Sequence, residues 1–175
     1  MPQINKAAPG FTGVKAYQQG AFKEVSLADY AGHWLVLFFY PRDFTFICPT
    51  ELRGFAQHEE DFAKLDCRLL AASTDSEWSH KNWFERDLPE VKYPVLADTN
   101  LSLSRAYGVL DEMSGAADRG LFIIDPAGQI KYVVVSAGSV GRSVAETLRV
   151  LRAVQSGELC PVEWHQGEKT LGKAK

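Results

Sequence analysis

The sequence predicts an α/β fold in which a mixed central sheet is flanked by helices. Residues 34–40 and 67–73 form two apolar runs of strand length. They lack the polar alternation of a solvent-facing strand, which indicates strands buried on both faces. Between them, Leu52, Phe55 and Phe62 fall on one stripe at helical spacing, so this stretch is predicted to form an amphipathic helix that continues to Ala63. Strand, helix and strand in this order are typical of layered α/β folds.

The elements on either side of this unit are shorter. Residues 14–27 predict a hairpin that turns at Gln19 and Gly20. After the second apolar run, helices are expected over residues 77–86 and 101–107. Residues 93–97 predict a short edge strand, because Pro94 near its start cannot donate to a sheet.

The last third of the chain predicts a hairpin and a closing helix. Two β-rich runs, residues 121–125 and 129–135, flank a Pro-Ala-Gly turn. A helix over residues 143–155 follows, and Gly157 is placed to end it. The complete order of elements is the one expected of a thioredoxin-like sandwich.

The bulk composition is that of an ordinary globular chain. We expect a single domain over residues 1–175, with a core of about residues 11–156 and a C-terminal tail of residues 157–175. The net charge of −3 includes no basic stripe that would favour nucleic acid. The start has no signal-peptide pattern, no apolar run could span a membrane, and three cysteines are too few for a secreted disulfide scaffold. A cytoplasmic location is therefore expected.

The segment from residue 40 to residue 51 carries the strongest chemical signal. It joins a buried strand to a helix and places Cys48 in the first helical turn, followed by Pro49. Free N–H groups and the helix dipole favour a thiolate there, by about 1 kcal/mol. A nearby hydroxyl and a cation have to supply further stabilisation. Thr45 is a candidate for the first and Arg119 for the second, although sequence spacing does not establish that Arg119 meets Cys48.

Three segments of the chain resemble peroxiredoxins. The pattern Pro41-x-x-x-Thr45-x-x-Cys48, followed by Pro-Thr-Glu51, is similar to the active-site motif of that family. Residues 119–125 resemble its arginine segment. Residues 157–164, which include Cys160, resemble the resolving-cysteine segment of the typical two-cysteine class, to which the peroxidase component of bacterial alkyl hydroperoxide reductase belongs. The likeness extends from about residue 11 to residue 170.

The resemblance implies a thiol-specific peroxidase that reduces hydrogen peroxide and organic hydroperoxides to water and alcohols. Cys48 would attack one peroxide oxygen and become a sulfenic acid. The resemblance also implies roles for other residues. Pro41 would shield the sulfur, Thr45 would hydrogen-bond the peroxide, and Arg119 would bind thiolate and peroxide. Glu51 and Arg142 would support these groups.

The resemblance also implies partners. Cys160 would resolve the sulfenic acid as an intersubunit Cys48–Cys160 disulfide in a homodimer, and five such dimers would form a decamer. A thioredoxin-like protein or a flavoprotein disulfide reductase would then reduce the disulfide. No cofactor is expected, because the sulfur is both nucleophile and electron store. The preferred peroxide and the identity of the reductant stay open.

Other interpretations are available for several of these residues. Cys67 begins an apolar strand and is better interpreted as a small buried residue, and the four scattered histidines do not have the spacing of a zinc site. A redox relay would use the same cysteines but would stop at mixed disulfides with a client protein. A holdase chaperone would retain its activity after Cys48→Ser. A general disulfide oxidoreductase is disfavoured because the chain has no Cys-x-x-Cys.

Overall fold

A seven-stranded mixed sheet forms the centre of the first 142 residues. Its strands are β1 Val14–Gln18, β2 Ala21–Val25, β3 Trp34–Phe39, β4 Cys67–Ser73, β5 Val95–Ala97, β8 Arg119–Ile124 and β9 Ile130–Ser136. They lie side by side in the order β2-β1-β5-β4-β3-β8-β9. Two-residue strands β6 Leu110–Asp111 and β7 Ala116–Ala117 form a separate ribbon. The computed structural model describes residues 2–173, which divide into two compact units at the junction of Arg142 and Ser143.

Strand direction changes across the sheet. The three strands β3, β4 and β5 run parallel, with Leu37 opposite Leu70 and Ala72 opposite Leu96. Strand β8 is antiparallel to β3, and β9 to β8. The central strands are buried on both faces, which explains why their sequences are continuously apolar. The predicted mixed α/β fold is confirmed.

Helices of the first unit cover this sheet. They are α1 Cys48–Gln57, α2 Glu59–Lys64, α3 Glu77–Asp87 and α4 Ser102–Ala106, together with a 3₁₀ turn at Leu27–Tyr30. Helix α2 packs against β4, and α3 packs against β1 and β5. No helix within residues 2–173 is both long and apolar enough to cross a bilayer.

The prediction of one continuous helix to residue 63 is wrong, because the helix is interrupted at His58. This residue leaves helical geometry, with φ −110° and ψ 12°, and its N–H donates to Phe55 O at 3.1 Å. Its ring Nδ1 lies 2.9 Å from the carbonyl oxygen of Gly54. The two short helices keep Phe55 and Phe62 buried, with ring centroids 6.0 Å apart. The apolar stripe is therefore present as predicted, but it is divided between two helices.

The prediction of an edge position for residues 93–97 is also wrong. Strand β5 lies inside the sheet, between β1 and β4. Pro94 is compatible with this position because it precedes the strand and takes part only as an acceptor, with Ala71 N donating to Pro94 O at 3.1 Å. A proline at a strand start therefore did not mark an edge.

The second unit consists of helix α5 Val144–Ser156 and the residues that follow it. Ser143 caps the helix by accepting from Glu146 N at 3.1 Å. Gly157 ends it in the left-handed conformation, φ 65°. Both boundaries agree with the sequence prediction to within one residue.

Candidate active site

Cys48 is the first residue of α1, immediately after the loop that follows β3. Only 1% of its surface is exposed. Pro49 follows at a position where helices tolerate proline, because no N–H partner is required there. The loop and helix together hold the sulfur at the positive end of the α1 dipole.

The pairing of β8 with β3 brings Arg119 next to the Cys48 sulfur. Since β8 runs antiparallel to β3, its first residue, Arg119, lies beside the end of β3 where the active-site loop starts. Its Nη1 donates to Cys48 Sγ at 3.4 Å and to Glu51 Oε2 at 2.7 Å. Its Nε donates to the carbonyl oxygen of Gly138 at 2.9 Å. Arg119 is 3% exposed, so this cation faces the sulfur out of contact with bulk water.

Glu51 connects Arg119 to a second guanidinium. It follows Cys48 by three residues and therefore lies on the same face of α1. Arg142 binds both of its carboxylate oxygens, with Nε 2.7 Å from Oε1 and Nη2 2.8 Å from Oε2, and its backbone N–H also donates to Oε1 at 2.8 Å. Although burial alone raises the pKa of Glu51, the hydrogen bonds and charge of Arg142, aided by Arg119, lower it below the ordinary value.

The two remaining predicted residues lie in the loop between β3 and α1. Pro41 comes directly after Tyr40 at the end of the central strand. The Thr45 hydroxyl donates to the carbonyl oxygen of Arg42 at 2.9 Å. The expectation that this hydroxyl donates to the sulfur does not match that geometry, because its single hydrogen is already used. The lone pairs of Thr45 Oγ1 remain available to accept.

A buried polar cluster behind the loop was not anticipated. The Asp43 carboxylate accepts from Tyr40 OH at 2.7 Å and from Ser79 Oγ at 2.7 Å, and lies 2.8 Å from Nδ1 of His80. The backbone N–H of Asp43 donates to Asp75 Oδ2 at 2.8 Å. Burial, followed by the charge of Asp43, raises the pKa of Tyr40 well above its ordinary value. Helix α3 thus anchors the active-site loop through residues that are far away in sequence, and no local pattern revealed this.

The other two cysteines have different surroundings. Cys67, in β4, is buried, and this burial raises the pKa of its thiol to about 12. Its burial agrees with the sequence prediction of a small buried residue. Cys160 belongs to the second unit, where its Sγ lies 3.4 Å from Ser156 Oγ. All three cysteines are free thiols.

The fold and the site define a thiol-based redox enzyme. A cysteine at a helix N-terminus in contact with a guanidinium is the arrangement that activates sulfur as a nucleophile. No group of three or more His, Cys, Asp or Glu side chains within residues 2–173 is arranged to hold a metal ion.

Comparison with known proteins identifies the family. The pattern of the AhpC/TSA family matches residues 4–133, and the chain belongs to this family. It is 47% identical to a putative peroxiredoxin in the rubredoxin operon of Clostridium pasteurianum, over 96% of this chain and 98% of that protein. It is 48% identical to peroxiredoxin-2 of Mus musculus, over 97% of this chain and 89% of the mouse protein.

Solved structures agree with the observed fold. The crystal structure of Enterococcus faecalis AhpC superimposes with a TM-score of 0.86 at 40% identity, over 92% of this chain and 100% of that one. The reduced 2-Cys peroxiredoxin of Plasmodium vivax gives a TM-score of 0.91 at 31% identity, over 95% and 91% of the two chains. The predicted thioredoxin-like architecture and the resemblance to peroxiredoxins are confirmed, and the chain is a thiol-dependent peroxidase with an antioxidant role.

Proposed function

We propose that Cys48 is the sulfur that reduces the peroxide and that Arg119 keeps it anionic. The observation that carries this proposal is the 3.4 Å contact between Arg119 Nη1 and Cys48 Sγ in a buried setting. Glu51 supplies one carboxylate to two buried guanidinium groups, those of Arg119 and Arg142. One positive charge is then left over, and a buried uncompensated charge is costly. A thiolate at Cys48 neutralises the cluster.

The chemistry follows from this charge arrangement. The Cys48 thiolate attacks one peroxide oxygen, and an S–O bond forms as the O–O bond breaks. The departing oxygen takes up a proton from solvent and leaves as water or an alcohol, and Cys48 becomes a sulfenic acid. Donors directed at the departing oxygen stabilise its developing charge, which is the role proposed for Arg119. Thr45 Oγ1, whose hydrogen is donated to the carbonyl oxygen of Arg42, accepts a hydrogen bond from the incoming peroxide. Pro41 shields the sulfur from bulk water.

Glu51 and Arg142 act on the reaction through Arg119. The Arg142 fork holds both carboxylate oxygens of Glu51, and Glu51 in turn holds Arg119 Nη1 at 2.7 Å. Bidentate pairs of this kind restrict orientation as well as distance. We assign both residues the role of positioning the Arg119 guanidinium against the sulfur.

Cys160 is proposed to complete the cycle on a partner subunit. Its thiol attacks the Cys48 sulfenic acid, an S–S bond forms, and the sulfenic oxygen leaves as water. A dithiol protein, thioredoxin-like or a flavoprotein disulfide reductase, then reduces the disulfide. We propose a homodimer that assembles further into a decamer, in the cytoplasm, where three free thiols remain reduced.

Co-expression of two cysteine variants tests which residues form the disulfide and whether the disulfide joins two subunits. After one equivalent of peroxide, wild type should run as a covalent dimer on a non-reducing gel. When expressed by itself, neither Cys48→Ser nor Cys160→Ser should form the Cys48–Cys160 disulfide. A co-expressed mixture of the two should form a dimer with one such link, because one subunit supplies Cys48 and the other Cys160.

Two results would decide against parts of this proposal. Absence of the linked dimer from the mixture, while wild type still forms a Cys48–Cys160 disulfide, would place both cysteines of the bond in one subunit. Peroxide consumption by Cys48→Ser at the wild-type rate would exclude Cys48 as the reacting sulfur. Cys67→Ser provides the matched control, since it removes a buried thiol and should leave the gel pattern unchanged.

A further inference from the structure

The two sulfurs of the proposed cycle have opposite surroundings. Cys48 begins helix α1 and accepts a hydrogen bond from Arg119. Cys160 instead follows the C-terminal end of α5. Three oxygens approach its sulfur, namely Ser156 Oγ at 3.4 Å, Glu158 O at 3.7 Å and Ala153 O at 3.8 Å.

The donor in the contact between Ser156 Oγ and Cys160 Sγ follows from counting the available hydrogens. Ser156 has one hydroxyl hydrogen, and it is directed at Ala153 O at 2.7 Å. The backbone N–H of Glu158 also donates to Ser156 Oγ, at 3.2 Å. Ser156 Oγ therefore presents a lone pair to Cys160, and the two carbonyl oxygens can only accept. The hydrogen shared with the sulfur must come from the sulfur itself.

The backbone beyond Cys160 holds it in this position. Leu159 N donates to Gly172 O at 2.8 Å, and Leu171 N donates to Leu159 O at 2.8 Å. Thr170 Oγ1 donates to Glu158 Oε2 at 2.5 Å. These bonds close a loop whose base adjoins Cys160, so the sulfur stays next to the end of α5 while the loop remains closed.

We propose that Ser156 is a positioning residue that keeps the Cys160 sulfur as a hydrogen-bonded thiol at the end of α5 until its loop moves. The proposal rests on the proposed function, in which Cys160 is the resolving cysteine. An S–H that donates to a fixed acceptor, at the negative end of a helix dipole, is a poor nucleophile. Cys160 is thereby kept from reacting directly with peroxide, and its attack on the Cys48 sulfenic acid begins with loss of the contact to Ser156.

Two substitutions of Ser156 separate the hydroxyl from the side-chain packing. Ser156→Ala removes the acceptor, while Ser156→Thr retains the hydroxyl at an exposed position. The first measurement is the rate at which iodoacetamide alkylates Cys160 in a Cys48→Ser background at neutral pH. The second is the rate of disulfide formation after one equivalent of hydrogen peroxide, with Cys48 restored, followed by quenched flow and non-reducing gels.

The alanine variant should increase both rates about fivefold, which corresponds to loss of one hydrogen bond. The threonine variant should stay within about twofold of wild type on the same basis. Unchanged or slower rates in Ser156→Ala would overturn the inference, as would a threonine variant that behaves like alanine. If Cys160 forms no disulfide with Cys48 in any variant, the proposed function itself fails. If the disulfide forms at unchanged rates, only the role of Ser156 fails.

Discussion

Replacing Glu51 with glutamine should destabilise the folded chain substantially, although the two side chains have nearly the same shape. The carboxylate accepts four hydrogens, three from Arg142 and one from Arg119, and its side chain is only 2% exposed. An amide carries no charge and turns an NH₂ group toward guanidinium donors. Arg142 then loses its carboxylate partner, and the proposed Cys48 thiolate, in contact with Arg119, is the counter-charge that remains for two buried cations. Removing one partner of a buried pair costs about 3–5 kcal/mol.

The chain contains a matched control for burial. Arg105 binds Glu112 with the same forked geometry, Nε to Oε1 at 2.7 Å and Nη2 to Oε2 at 2.9 Å, but both side chains are more than half exposed. Solvent screens such pairs, so Glu112→Gln should cause no measurable loss. Both variants and wild type are compared by urea unfolding at neutral pH and one protein concentration, because assembly would otherwise change the apparent stability.

The test compares the loss of unfolding free energy in Glu51→Gln with the loss in Glu112→Gln. If Glu51→Gln unfolds at the same urea concentration as Glu112→Gln, the argument that burial makes this carboxylate necessary is wrong. If both variants lose several kcal/mol, the geometry of the fork rather than its burial sets the energy, and the same reasoning fails.

Three further outcomes are expected. Wild-type stability should fall as the pH drops below about 4.5, because the pKa of Glu51 is held below its ordinary value of 4.5 in the folded chain. Glu51→Gln should flatten that decline below about pH 4.5 in urea titrations, and an equally steep decline would contradict the assignment to Glu51. Arg119→Lys should slow Cys48 oxidation by hydrogen peroxide about 100-fold in stopped flow, since one point charge replaces a forked donor; a change below about threefold would remove Arg119 from the reaction. Cys67→Ser should retain peroxidase turnover while losing about 1–3 kcal/mol of stability in urea, because a hydroxyl replaces a buried thiol; loss of turnover would show that Cys67 is not inert.

Local sequence patterns predicted most of the secondary structure. Strand β4 begins and ends at the predicted residues, and the hairpin turns at Gln19 and Gly20 as expected. These elements depend on side chains that are close in the chain, so periodicity and turn residues were sufficient. The interior position of β5 was missed because it depends on pairing with β1 and β4, which come from other parts of the chain. The break at His58 was missed because the apolar stripe continues across it.

The sequence by itself determined that Cys48 begins a helix after a buried strand and that its motif is that of a peroxidase family. Both properties depend on residues within about one or two helical turns of the sulfur. Only the tertiary structure decided which cation reaches it. Arg119 is 71 residues from Cys48, and Arg142 is 91 residues from Glu51. The β3–β8 pairing delivers Arg119 to the sulfur, because long-range strand pairing brings together side chains that no local periodicity relates.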